Sequence, residues 1–224
     1  MVVRTHRPAN SLLYLLVMTL LITAATFWQA PYPAELRLQH LPTLIGLILL
    51  AITVQKNWLR PRSVLCLLGF LWLHILGARW IYSYVPYDDW ARFLLSRSLS
   101  EQWNWQRNHY DRLVHLASGV LFVPPIVELL QRDGMKSRLG TALCAISGVL
   151  AVGAAYEIAE WQVAVICAPE YAEAYNGQQG DSWDPQKDMA LAGLGAIISS
   201  LGVVLSSRRF TPESVSRIEE SIAR

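Results

Sequence analysis

The chain has 224 residues, of which 53% are apolar and only 16% charged, well below the roughly one quarter usual in soluble domains. That balance argues against a water-soluble globule. A formal charge of +2, with no Lys/Arg run interleaved with aromatics, sets nucleic-acid binding aside.

Taken in chain order, six intervals carry no charge: 8–34, 38–55, 63–78, 113–127, 139–156 and 189–207. A bilayer-spanning helix needs about twenty mostly apolar residues. The first and last intervals meet that length outright, and the middle four reach it by including a few polar residues at their ends. The pattern predicts an all-α polytopic membrane bundle of six helices, at roughly 10–30, 39–56, 63–80, 109–130, 139–161 and 186–206. Together they form one transmembrane domain over 1–208. The first segment reads as a retained helix rather than a signal peptide, because it is long, lacks an A-x-A site and is followed by further spans. Cys66 and Cys144 fall inside apolar stretches, and with Cys167 they form no CxxC pair and no even disulfide framework.

Lys and Arg concentrate in cytoplasmic loops. With both termini inside, the inner segments hold 12 of the 19 basic residues, including Lys56, Arg60, Arg62, Arg132, Lys136 and Arg138. This asymmetry predicts an N-in, C-in chain, and Trp28, Trp80, Trp161 and Trp183 then fall near outer helix ends as an aromatic belt. The inner loops at 56–62 and 131–138 are short and basic. The outer connections at 79–108 and 162–187 are longer and rich in aromatic and charged residues, which suits a binding face. At the C-terminus, Thr211-Pro212-Glu213 opens a short amphipathic helix with Val215, Ile218 and Ile222 on one stripe, giving a cytoplasmic tail over 209–224.

Ionisable groups at membrane depth are costly, so each is a functional candidate. RNHYDRLVH enters the fourth span, with Asp111 and His115 neighbours at i, i+4. YEIAEW leaves the fifth, with Glu157 and Glu160 on one face at i, i+3. GDSWDPQKDM starts the sixth, with Asp181, Asp184 and Asp188. The predicted topology puts all three clusters on the outer side, as one polar pocket. Two carboxylates as close as Glu157 and Glu160 repel unless a proton, a cation or an arginine intervenes. A divalent metal ion is one answer, held by His115, Glu157, Glu160 and Asp188, with His109, Asp111, Asp181 and Asp184 orienting these ligands. The other is a metal-free network in which Arg112 pairs the carboxylates and His115 moves protons. Spacing alone leaves both open, since no HExxH-type signature is present.

The three motifs together resemble the signature of the YjdF-type bacterial inner membrane proteins, a family without an assigned biochemical activity. The resemblance covers roughly residues 60–205 and implies a multi-pass protein of the bacterial inner (plasma) membrane. More distantly, Asp111-Arg112-x-x-His115, Glu157-x-x-Glu160, Asp184-x-x-x-Asp188 and the following AGLGA resemble the VanZ-like membrane proteins, linked to envelope processes. The common VanZ-like pattern has Lys at Arg112, often Gln at Glu160 and Asn at Asp188, so this chain is the more acidic.

These features lead to an outward-facing pocket that binds, and in an enzymatic version modifies, an envelope or lipid-linked ligand. Glu157 or Glu160 would then serve as general base, His115 as metal ligand or acid, and Arg112 as a clamp for an anionic group. A proton-coupled transporter and a non-catalytic assembly protein are the alternatives. Transport predicts a polar path continuing towards Lys56 or Arg132.

Overall fold

The computed structural model describes residues 10–167 and 177–205, and over them the chain is helical with no strand. The expected tail helix at 209–224 lies outside the described residues. Eight helices follow in order: α1 (Asn10–Ala25), α2 (Pro33–Lys56), α3 (Pro61–Arg79), α4 (Tyr87–Leu95), α5 (Leu99–Trp103), α6 (Tyr110–Arg132), α7 (Arg138–Cys167) and α8 (Asp184–Leu205). Their ends have local causes. Proline in the first turn starts α2 and α3 with its φ already helical. Asn57 in the left-handed region ends α2, where the Trp58 N–H returns to the Thr53 carbonyl at 3.0 Å. Ser137 accepts the Gly140 N–H at 3.1 Å and so opens α7.

Among the described residues five helices, α2, α3, α6, α7 and α8, are long and apolar enough to cross a membrane. The first apolar segment makes only 16 helical residues, about 24 Å of rise against a hydrocarbon core of about 30 Å. It was expected to run to residue 30 but leaves the helix after Ala25. Thr19, Thr23 and Thr26 each turn a hydroxyl back onto a carbonyl three or four residues earlier, and Gln29 follows with φ of 47°.

The connection between α3 and α6 is ordered, and α4 and α5 were not foreseen within it. Ser98 caps α5 by accepting the Glu101 N–H, Asp88 accepts the Ser100 N–H, and Arg92 bridges Asp89 and Glu101. Tyr82 folds its ring under α3, where a Cβ on Gly77 would lie 2.7 Å from it. Only glycine fits there.

Three apolar clusters hold the bundle. One joins α1, α2 and α3 around Leu16, Leu50 and Leu68, one joins α6, α7 and α8 around Val123, Val149 and Ala196, and a smaller one packs Tyr82 and Val85 against α6. Outward, Ile45, Ile48, Ile197, Ile198 and Leu201 are exposed, the surface of a protein solvated by lipid. The helix directions put the start of α6, the end of α7 and the start of α8 at one end of the bundle, and that end carries Asp111, His115, Glu157, Asp184 and Asp188.

Candidate functional site

Two layers of charge occupy this end. The upper layer is an ion-pair cluster across the entrances of α6 and α8. Arg107 donates to both oxygens of Asp184 and to the carbonyls of Gly177 (2.8 Å) and Gln178 (3.1 Å). Arg112 donates to Asp181 at 2.6 Å and to Asp184 at 3.3 Å, and Lys187 grips both oxygens of Asp181. Asp184 is 1% exposed and spends its carboxylate on arginines. The Gln179 amide pairs with the backbone of Asn108 in both directions, at 2.8 and 3.1 Å, so residues 177–184 are stitched to the start of α6. Lys187, with the Trp183 N–H and Arg112, holds the Asp181 carboxyl down at about 2. A depressed value means these pairs persist above the ordinary carboxylate range and are lost only as pH falls through about 2.

One turn deeper lies the second layer. Asp111, His115 and Asp188 each offer a ligand atom, all within 4.8 Å of one another. His115 Nε2 lies 3.6 Å from Asp111 and 3.4 Å from Glu157. Asp188 is 2% exposed, and its Oδ1 has no hydrogen-bond partner among the described residues. Gly177, at φ of +71°, passes directly over Asp111: a Cβ there would sit 2.8 Å from the carboxylate. The layer thus joins α6, α7 and α8.

The expected site residues are distributed between the layers. His115, Asp188 and Glu157 lie in the deep one, and Asp111, expected to orient ligands, sits among them as a candidate ligand. Glu160 makes no hydrogen bond or ion pair to a described residue. Arg112 faces Asp181 and Asp184 rather than Glu157 and Glu160. His109 packs its ring on Trp105 at 4.5 Å between centroids, close enough to Arg107, Arg112 and Asp184 to interact with their charges. Arg107, Gln179 and Gly177 were not singled out, although a glycine directly before QQGDSWDP was the available sign of a tight turn. His74 lies in a separate seam between α2 and α3, bonded to Tyr82, Thr43 and the Gln39 carbonyl.

The arrangement can do two things. The upper layer fixes a connection across the helix ends, and the lower one concentrates acidic groups around one imidazole, with no ion pair to arginine or lysine among the described residues. Carboxylates and an imidazole on three helices form the donor set that suits a divalent cation of the manganese, iron or zinc type.

The family described as "Predicted membrane protein (DUF2238)" matches residues 11–209 of this chain. The "Inner membrane protein YjdF" of Escherichia coli (strain K12) is 35% identical over 162 residues, 70% of this chain and 71% of that protein. No solved structure matches.

Proposed function

Because the chain belongs to the DUF2238 family of predicted membrane proteins, we propose that it is a multi-pass protein of the bacterial inner membrane. In this reading its outward-facing Asp111, His115 and Asp188 hold a divalent cation for binding and modifying an envelope ligand. The observation that carries the reading is that Asp188, which has one fully buried oxygen without a partner among the described residues, also offers a ligand atom within 4.8 Å of those of a carboxylate and an imidazole. Such an oxygen is strongly unfavourable when ionised, and a cation would remove that cost while using the neighbouring groups as further ligands. The arginine alternative has the weaker geometry, since the ion pairs of Arg107 and Arg112 go to Asp181 and Asp184, although Arg112 Nε is buried with no partner among the described residues.

A bound cation would act as a Lewis acid and lower the pKa of a bound water. Glu157, against His115 and outside the closest triad, is placed to take a proton beside such a water, and Glu160 follows one turn on. Transport is the weaker reading. His74, His40 and Thr26 belong to a separate hydrogen-bonded seam at the same end of the bundle, and its bonds do not lead towards Lys56 or Arg132. Manganese titration of the purified protein tests the proposal: one ion should bind per parent chain and none to Asp188→Asn.

The outward direction rests on the basic loops at the other end, where Arg60, Arg132 and Glu128 gather. In intact cells, a cysteine replacing the exposed Gln102 should react with a membrane-impermeant maleimide. Reaction only after permeabilisation would reverse the topology and put the site on the cytoplasmic side.

A further inference from the structure

A cavity of about 320 Å³ lies between α2, α3, α6 and α7, and its upper end is the deep layer of the site. It runs from Pro42 to Thr53 along α2 and from Asp111 to Phe122 along α6. Eleven residues of helix rise correspond to about 16 Å, half the thickness of a bilayer core. The space is therefore long and narrow rather than round.

Its ionisable groups collect at one end. Asp111, His115, His74 and Tyr82 line the top. Below them the walls are mostly leucine, phenylalanine, valine and glycine, and the Ser118 hydroxyl is already bonded to the His115 carbonyl at 2.7 Å. Water along such a shaft finds few partners, and an empty apolar cavity of this size is costly. Two glycines keep it open: a Cβ on Gly153 meets nothing within 4 Å, and one on Gly46 only Leu71 at 3.6 Å. Leu49 and Val152 belong to the lining and are 57% and 52% exposed, so the shaft has a sideways mouth between α2 and α7, at membrane depth.

We propose that this shaft binds one hydrocarbon chain of a membrane lipid, taken sideways from the outer leaflet, with the lipid's polar head delivered to Asp111 and His115. The ligand class of the site is thereby a lipid or lipid-linked molecule. The head placement rests on the metal reading above; the chain placement does not. Length, largely apolar walls, a lateral mouth and ionisable groups at one end are what a head-and-tail molecule requires, and the surrounding bilayer supplies such molecules at high concentration.

The test uses the purified full chain in vesicles of phosphatidylglycerol containing phosphatidic acid with a photoreactive diazirine in mid-chain. In the parent, crosslinks should fall on the inward-facing Leu50, Phe70 and Phe122 as well as on the lipid-facing Ile45 and Ile48. Gly153→Leu, or Gly46→Leu from the opposite wall, should cut inward labelling about tenfold while leaving outward labelling and manganese binding unchanged. Asp188→Asn should do the reverse, abolishing manganese binding while the chain still labels the shaft. Inward labelling without manganese binding in the parent would remove the metal reading and keep the chain site. Labelling confined to Ile45 and Ile48 in the parent, or inward labelling unchanged in a folded plugged variant, would overturn the chain site.

Discussion

Leucine at Gly119 or Gly195 is expected to prevent the protein from accumulating in folded form. A Cβ on Gly119 would lie 2.0 Å from the Ala192 carbonyl oxygen and 2.6 Å from the Ala196 nitrogen, and one on Gly195 would lie 2.2 Å from the Leu116 carbonyl oxygen. Each obstacle is backbone, so no rotamer change relieves it, and α6 and α8 must move apart. Small residues that let helices approach this closely are what association in lipid depends on, because the surrounding hydrocarbon offers no hydrophobic driving force. Overpacking of a core costs about 1–3 kcal/mol, and separating two backbones belongs at or beyond the upper end. Alanine should already destabilise at both positions. Gly153→Ala, with open space at its Cβ, should melt at or above the parent temperature. Folded yield by size-exclusion chromatography in detergent and melting of the soluble fraction distinguish these outcomes; a monodisperse Gly195→Leu at parental yield would contradict the packing described.

The second large effect is expected at Arg107. It is 10% exposed, sits on an Asp184 that is 1% exposed, and also holds two carbonyls of the 177–184 connection. Arg107→Met strands a buried carboxylate with only the longer Arg112 contact, and breaking a buried pair costs about 3–5 kcal/mol. Arg107→Lys should recover little, because a point charge cannot serve two carboxylate oxygens and two carbonyls at once. Arg107→Met with Asp184→Asn should be less damaging than Arg107→Met alone, since the stranded charge is gone. By contrast Arg92→Met, at an exposed pair, should shift the melting temperature far less. Equal melting shifts for Arg107→Met and Arg92→Met would show that the upper layer does not hold the fold.

Much of this was readable from residues alone, for definable reasons. The long helices follow from the absence of charge, and the three acidic clusters stand out because ionisable groups rarely lie at such positions in apolar segments. Helical spacing places Asp111 and His115 on one face of α6 and Glu157 and Glu160 on one face of α7. It says nothing about how α6 is rotated relative to α7 and α8. For that reason spacing leaves open a pairing of Arg112 with the carboxylates of α7, whereas the rotation set by the Gly119 and Gly195 crossing turns it to Asp181 and Asp184. The same rotation brings Asp111 in among the candidate ligands. The shortening of α1 depends on back-bonding by three threonines, and α4 and α5 depend on caps at Ser98 and Asp88 inside a segment that composition marks only as polar. The shaft beside the site was invisible for a further reason: it is a space between four helices, and no local pattern in any one of them encodes it.

The central claim is that Asp111, His115 and Asp188 bind a divalent cation. Pulsed electron paramagnetic resonance of the purified protein, stripped by chelation and reloaded with one equivalent of manganese, tests it most directly. The account predicts one tightly bound ion per chain with a single directly coordinated imidazole nitrogen. That nitrogen signal should be lost in His115→Gln, and the ion itself should be lost in Asp188→Asn. Manganese that stays free in solution, or binds with no nitrogen coupling and equally well to Asp188→Asn, would contradict it.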